Sequence, residues 1–104
     1  MYVIRRVYKT KPGQAKAVAE LVHRQASRYR DAGQRSEIRV SYNSYTLPGK
    51  QNIVFVEWTD DTIQSPSRPG NALPQEALQI GGEVRKLIES QRIEFYEMLT
   101  PDEG

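Results

Sequence analysis

Residues 52–61 read NIVFVEWTDD, and the alternation along this stretch decides how the rest of the chain is assembled. Successive side chains of an extended strand point to opposite faces. Val54, Val56 and Trp58 therefore share one side, and Ile53, Phe55 and Glu57 share the other. Apolar groups stand on both sides, the mark of an inner strand with material packed against each face.

Working outward, residues 37–46 form a second strand with Ile38, Val40 and Tyr42 on one side. Leu47-Pro48-Gly49-Lys50 turns the chain back, so this strand and the quoted one make a hairpin. Residues 1–10, MYVIRRVYKT, have strand periodicity, with Tyr2 and Ile4 opposing Val3 and Val7. Pro12-Gly13 punctuates. Residues 14–31 then set Ala15, Val18, Val22, Ala26 and Tyr29 on one helical stripe, widened by Ala19 and Leu21, with Gly33 as the stop. Residues 61–74 hold Pro66, Pro69, Gly70 and Pro74, a loop that is either a lid or a surface excursion. Residues 75–90 give a second amphipathic helix with Ala77, Ile80, Val84, Leu87 and Ile88 inward. Gly81 lies on or near the buried stripe, which points to close approach of this helix to the sheet. Residues 92–99 close the chain as a strand, with Ile93, Phe95 and Leu99 opposing Tyr96 and Met98.

The order is βαββαβ, the split-βαβ arrangement of an α+β, ferredoxin-like sandwich. It predicts a four-stranded antiparallel sheet with two helices on one face, as one domain over residues 1–100 followed by a polar tail at 101–104. The second sheet face of a monomer should be polar, yet the strands carry apolar residues there too. Burial stabilises by about 25 cal/mol per Å² of apolar area, so the expected partner is a second copy, paired sheet to sheet as a homodimer.

Composition narrows the chemistry. The 104 residues contain no cysteine and a single histidine, His23. Disulfides, thiol nucleophiles, cysteine-zinc centres and multi-histidine metal sites within one chain are thereby excluded. No metal and no cofactor are expected. The N-terminus opens directly into a strand pattern, and no stretch approaches the roughly 18 apolar residues of a spanning helix. The expectation is a cytoplasmic protein without a membrane partner. A net charge of +2 is spread over Arg24, Arg28, Arg30 and Arg35 near one helix end and over Arg5, Arg6, Lys9 and Lys11 near the N-terminus, without a concentrated block, so nucleic acid is not demanded.

An RNA-recognition domain has the same topology and stacks bases on third-strand aromatics. VFVEW matches the second half of its third-strand pattern, but Gln51, Asn52 and Ile53 stand where a glycine and a leading aromatic are required. Alternation also separates Phe55 from Trp58, so they cannot form one exposed platform. RNA binding ranks third among the readings.

The chain resembles the dimeric α/β-barrel superfamily of antibiotic-biosynthesis-monooxygenase and NIPSNAP-like proteins over nearly its whole length. The resemblance rests on the short N-terminal strand, on Lys11-Pro12-Gly13-Gln14 leading into a long amphipathic helix, and on the third strand ending in FVEWTDD. It implies that two sheets form a shared barrel and that each subunit keeps a small-molecule pocket between its sheet and helices. The residues it implicates are Trp58, Arg6 and Tyr42 as the catalytic set, with Tyr8, Val56 and His23 as ligand-binding neighbours and Asn43 or Asn52 as additions. Arginine would stabilise an enolate or phenolate and tryptophan would pack an aromatic ring. Haem-degrading members carry a first-strand Asn and a second-helix His that are missing here, so haem is not expected.

Each residue also has a structural role open to it. Trp58 can be core, Arg6 can pair with Glu57 or Glu97, and His23 can flank the buried stripe of the first helix. Glu57 is read as an ion-pair or interface carboxylate. The leading functional expectation is a cofactor-independent, monooxygenase-like pocket for a small aromatic ligand, either catalytic or merely binding. The alternative is a non-catalytic homodimeric module.

Overall fold

The computed structural model describes residues 1–33, 36–63 and 74–99. Its elements run β1 (Tyr2–Thr10), α1 (Ala15–Asp31), β2 (Arg39–Asn43), β3 (Ile53–Asp60), α2 (Gln75–Leu87) and β4 (Ile88–Glu97). The four strands form one antiparallel sheet in the order β2-β3-β1-β4. This is the ferredoxin-like sandwich, with β1 and β3 as inner strands. The proposed tail and most of the Pro-rich loop lie outside the described residues.

Strand register fixes what each sheet face presents. On the side facing the helices, Tyr42, Val54, Tyr8 and Gln91 lie in one row across the sheet. Val40, Val56, Arg6 and Ile93 form the next row, followed by Trp58, Ile4 and Phe95. The stripe Ala15, Val18, Ala19, Val22 and Ala26 of α1 packs down on these rows and joins Ile4, Tyr8, Val54, Val56, Trp58, Ile80 and Val84 in one core. Spacing of three and four residues brings that stripe onto one helix face. The helix is closed by Gly33 at φ +76°, whose N–H donates to the Arg30 carbonyl at 2.9 Å. Glycine takes this left-handed conformation without a Cβ clash.

The largest differences from the sequence reading are at the end of α2, the start of β4 and the end of β2. Residue 88 leaves the helix and enters the sheet, at φ −113° and ψ 156°. β4 therefore starts at Ile88, paired with Thr10 across an irregularity between Lys9 and Thr10. The Lys11 N–H donates to the Leu87 carbonyl at 2.9 Å and pins the junction. Ile88 fits both a helical apolar stripe and a β-branched strand start, so periodicity alone cannot place it. β2 ends at Asn43 because that side chain folds the following turn. Its Nδ2 donates to the Leu47 and Lys50 carbonyls at 3.0 and 2.9 Å, and its Oδ1 accepts from the Leu47 N–H at 3.2 Å.

Gly81 marks a close approach to α1 rather than to the sheet. A Cβ placed there would stand 2.9 Å from Gln25 Nε2, and Gln25 donates across the interhelical seam to the Ala77 carbonyl at 3.1 Å. Arg28 Nε and Glu76 Oε2 close the same seam at 2.9 Å. That hydrogen bond raises the guanidinium pKa and lowers the carboxyl one.

The opposite sheet face centres on Arg5. Its guanidinium pairs with Glu57 at 3.1 Å and lies over the Phe55 ring at 4.9 Å and the Tyr96 ring at 5.7 Å. Next to it, Glu94 accepts from Arg92 Nε and from the Tyr96 hydroxyl, each at 3.0 Å. Hydrogen bonds from Arg92 first, then Tyr96, hold the Glu94 carboxyl below its ordinary value. The bond to Glu94 and burial raise the Tyr96 phenol. A lowered carboxyl favours the folded state above its unfolded value of 4.5 and loses that contribution as pH falls. A raised phenol favours it below 10.0 and loses it as pH rises. Both groups thus favour folding between these limits.

Two measurements check these contacts. Gly82 has room for a Cβ, with only Arg85 Nη2 nearby at 3.8 Å. Gly82→Ala should therefore raise the unfolding free energy by about 0.5–1 kcal/mol through helix propensity, whereas Gly81→Ala must displace Gln25 and should gain less, as urea denaturation would read. The phenol titration lost in Tyr96→Phe, seen by ultraviolet difference spectroscopy, should lie above the ordinary tyrosine range and move back toward it in Glu94→Gln.

Candidate functional site

The helix-facing side of the sheet is unevenly covered. α1 seals β2 and β3 so that Val54 and Val56 are fully buried. The β4 edge is left open, with Ile93 40% and Phe95 42% exposed on that same side. In the three central rows Arg6 is the one charged side chain, set directly between Val56 and Ile93. Its Nη1 donates to Gln91 Oε1 at 3.1 Å. Among the described residues it has no carboxylate partner. The pairing of the sequence reading falls instead to its neighbour, since Glu57 lies on the far face and takes Arg5.

Trp58 is 8% exposed and belongs to the core. It is diagonal to Arg6 across β1 and β3, a relation that puts backbones roughly 7–8 Å apart and within reach of long side chains. Tyr8 and Val56, both buried, border Arg6 along β1 and across to β3. These four residues are thus neighbours on one sheet face, three of them in the core, beside the exposed Ile93 and Phe95.

Tyr42 and His23 are brought together elsewhere. Tyr42 has the same strand phase as Tyr8 but sits at the far end of its row on edge strand β2, with Val54 and Tyr8 between it and β4. It is 44% exposed. With Lys16, Ala19, Glu20 and His23 of α1 and Val40 of β2, it lines a cleft of about 330 Å³. α1 stands between this cleft and Arg6, so the six candidate residues divide into two groups. A strand's alternation tells which residues share its face, but not where a helix will cross that face.

The two asparagines are occupied by backbone. Asn43 holds the β2–β3 turn. Asn52, at φ +58°, accepts from the Gly13 N–H at 3.3 Å through its side chain and from the Thr10 N–H at 2.8 Å through its carbonyl. Phe55 and Trp58 occupy opposite sheet faces. Among the described residues, no group of three or more His, Asp or Glu side chains is placed to hold a metal ion, and no helix is long and apolar enough to cross a membrane. Sequence reasoning missed Gln91, Lys16 and Glu20. A retrievable signal was the spacing of Lys16, Glu20 and His23, which puts them along one flank of the buried α1 stripe.

No family model matches the chain, and no curated protein matches it in sequence. Solved structures do. A NIPSNAP family protein from Agrobacterium tumefaciens is 20% identical, over 99% of this chain and 95% of that one, with a TM-score of 0.65. A candidate antibiotic biosynthesis monooxygenase from Chloroflexus aurantiacus is 14% identical over 95% and 93%, with a TM-score of 0.67. A dimeric protein of unknown function and ferredoxin-like fold from Bacteroides fragilis is 17% identical over 93% and 96%, with a TM-score of 0.60. The chain thus has the ferredoxin-like fold that NIPSNAP and antibiotic biosynthesis monooxygenase-like structures share.

Proposed function

We propose that this protein is a homodimeric, monooxygenase-like small-molecule binder whose ligand is a small aromatic compound bearing a phenolate or an enolate. The observation that carries the reading is Arg6, a cation among apolar neighbours with only a neutral amide as its partner. Such a group favours an anion that is itself largely apolar, because the charge is held by the guanidinium while the ring lies on Ile93 and Phe95. Trp58, Tyr8 and Val56 border the same region and give it an aromatic and aliphatic wall. In the catalytic form of the reading, Arg6 holds the enolate oxygen while the carbanion passes its electrons to oxygen. A ring CH₂ and O₂ then become a carbonyl and water, with no cofactor required by the balance.

The homodimer rests on the other sheet face. Val3, Phe55, Tyr96 and Met98 stand beside the Arg5 array there, and their apolar area is what a second copy would bury. A binding module without catalysis is favoured by the Arg6–Gln91 hydrogen bond, which already gives the guanidinium a structural partner.

Two experiments test these readings. Sedimentation velocity at micromolar concentration should show a dimer, converted to monomer by Phe55→Asp; a wild-type monomer refutes the assembly. Acidic phenols and cyclic 1,3-diketones should quench the fluorescence of Trp58, the sole tryptophan. Arg6→Ala should weaken that binding about tenfold or more, the loss of roughly 1.5–3 kcal/mol given by a charge-assisted hydrogen bond. Oxygen uptake by the bound mixture separates catalysis from binding alone.

A further inference from the structure

The cleft between α1 and β2 has a composition distinct from the Arg6 region and lies on the other side of α1. Lys16, Ala19, Glu20 and His23 occur at i, i+3, i+4 and i+7, so they project from one flank of the helix. Val40 and Tyr42, two residues apart on β2, project from the strand toward that flank. The resulting hollow of about 330 Å³ has Ala19 and Val40 as an apolar floor, the Tyr42 ring as one side and three ionisable groups at the rim. Its volume falls within the range of about 300–1,000 Å³ that small-molecule sites occupy.

The rim groups are unengaged. Among the described residues, the side chains of Lys16, Glu20, His23 and Tyr42 form no hydrogen bond or ion pair with one another or with neighbours. The cleft therefore combines a flat apolar seat, an aromatic face and free donors of both cationic and neutral kind.

We propose that this cleft is a second ligand site, which takes a small planar aromatic acid. The ring of the acid rests on Ala19 and Val40 against Tyr42. Its carboxylate is met by the Lys16 ammonium, with the His23 imidazole as a further donor. Glu20 accepts from a ring hydroxyl or amine, which makes a hydroxy- or aminobenzoate a better match than benzoate itself.

Histidine and tryptophan each occur once in the chain, so each site has its own reporter. Titration of the wild-type protein with 4-hydroxybenzoate, followed in carbon–proton correlation spectra, should move the His23 imidazole resonances saturably while the Trp58 indole stays in place. Binding should weaken about fivefold in Tyr42→Ala through loss of ring stacking, and about threefold to fivefold in Lys16→Ala or when 4-hydroxybenzyl alcohol replaces the acid. Both substituted residues are at the surface, so the fold survives, and unchanged indole shifts in the variants verify this. Shifts that rise linearly without saturation, or an affinity equal in wild type and both variants, overturn the proposal. A ligand that moves Trp58 and leaves His23 unmoved overturns it as well and leaves the Arg6 reading untouched.

Discussion

The structure depends on the position of β1, which has a strand on either side and a packed layer on its helix-facing side. Every row of the core passes through it, from Tyr8 through Arg6 to Ile4. With both edges paired, its polar backbone is satisfied within the sheet, and its side chains are left to decide what each face can do. A strand with both edges hydrogen-bonded cannot slip by one residue without turning its whole apolar set to the wrong side. The registers of β3 and β4 are locked to it for that reason, and the placement of Arg6 follows from the same lock.

The two faces surround a half-buried arginine differently. Arg5 is neutralised by Glu57 and laid against aromatic rings, an arrangement that spreads its charge over a carboxylate and two π faces. Arg6, one residue later and on the reverse side, receives only an amide oxygen. Adjacent residues of one type thus have opposite electrostatic situations, because alternation sends them into different surroundings. The contrast separates a guanidinium paired with a carboxylate from one whose hydrogen-bond partner is neutral.

Much of the fold was legible in the sequence. The four periodic strands and two amphipathic stripes were strong enough to give the βαββαβ order, and alternation in residues 53–58 sorted Phe55 from Trp58 correctly. Glu57 was rightly read as an ion-pair carboxylate, though its partner is Arg5 and not Arg6; phase arguments on a single strand do not identify which neighbour a long side chain reaches. The C-terminal end of α2 was misplaced because Ile88 satisfies two patterns at once, whereas its start at Gln75 was read correctly. The α2 contact at Gly81 went to α1, since a glycine on an apolar stripe announces proximity without naming the neighbour. The grouping of candidate residues was the least legible feature. It depends on the path α1 takes over the sheet, which is set by packing between elements distant in the sequence.

The direct passage from Leu87 to Ile88 has a mechanical consequence. With no intervening loop, and with the Lys11 N–H holding the Leu87 carbonyl, the helix and the strand behave as a crank with a fixed elbow. Movement of α2 at this end draws directly on the pairing between β4 and β1. Displacement of the helix end by anything bound beneath it would therefore be felt along the outermost strand as a shift in register tension rather than absorbed as slack. The hairpin between β2 and β3 is tied more lightly, through Asn52, which accepts from the Thr10 N–H at the end of β1 and from the Gly13 N–H just before α1.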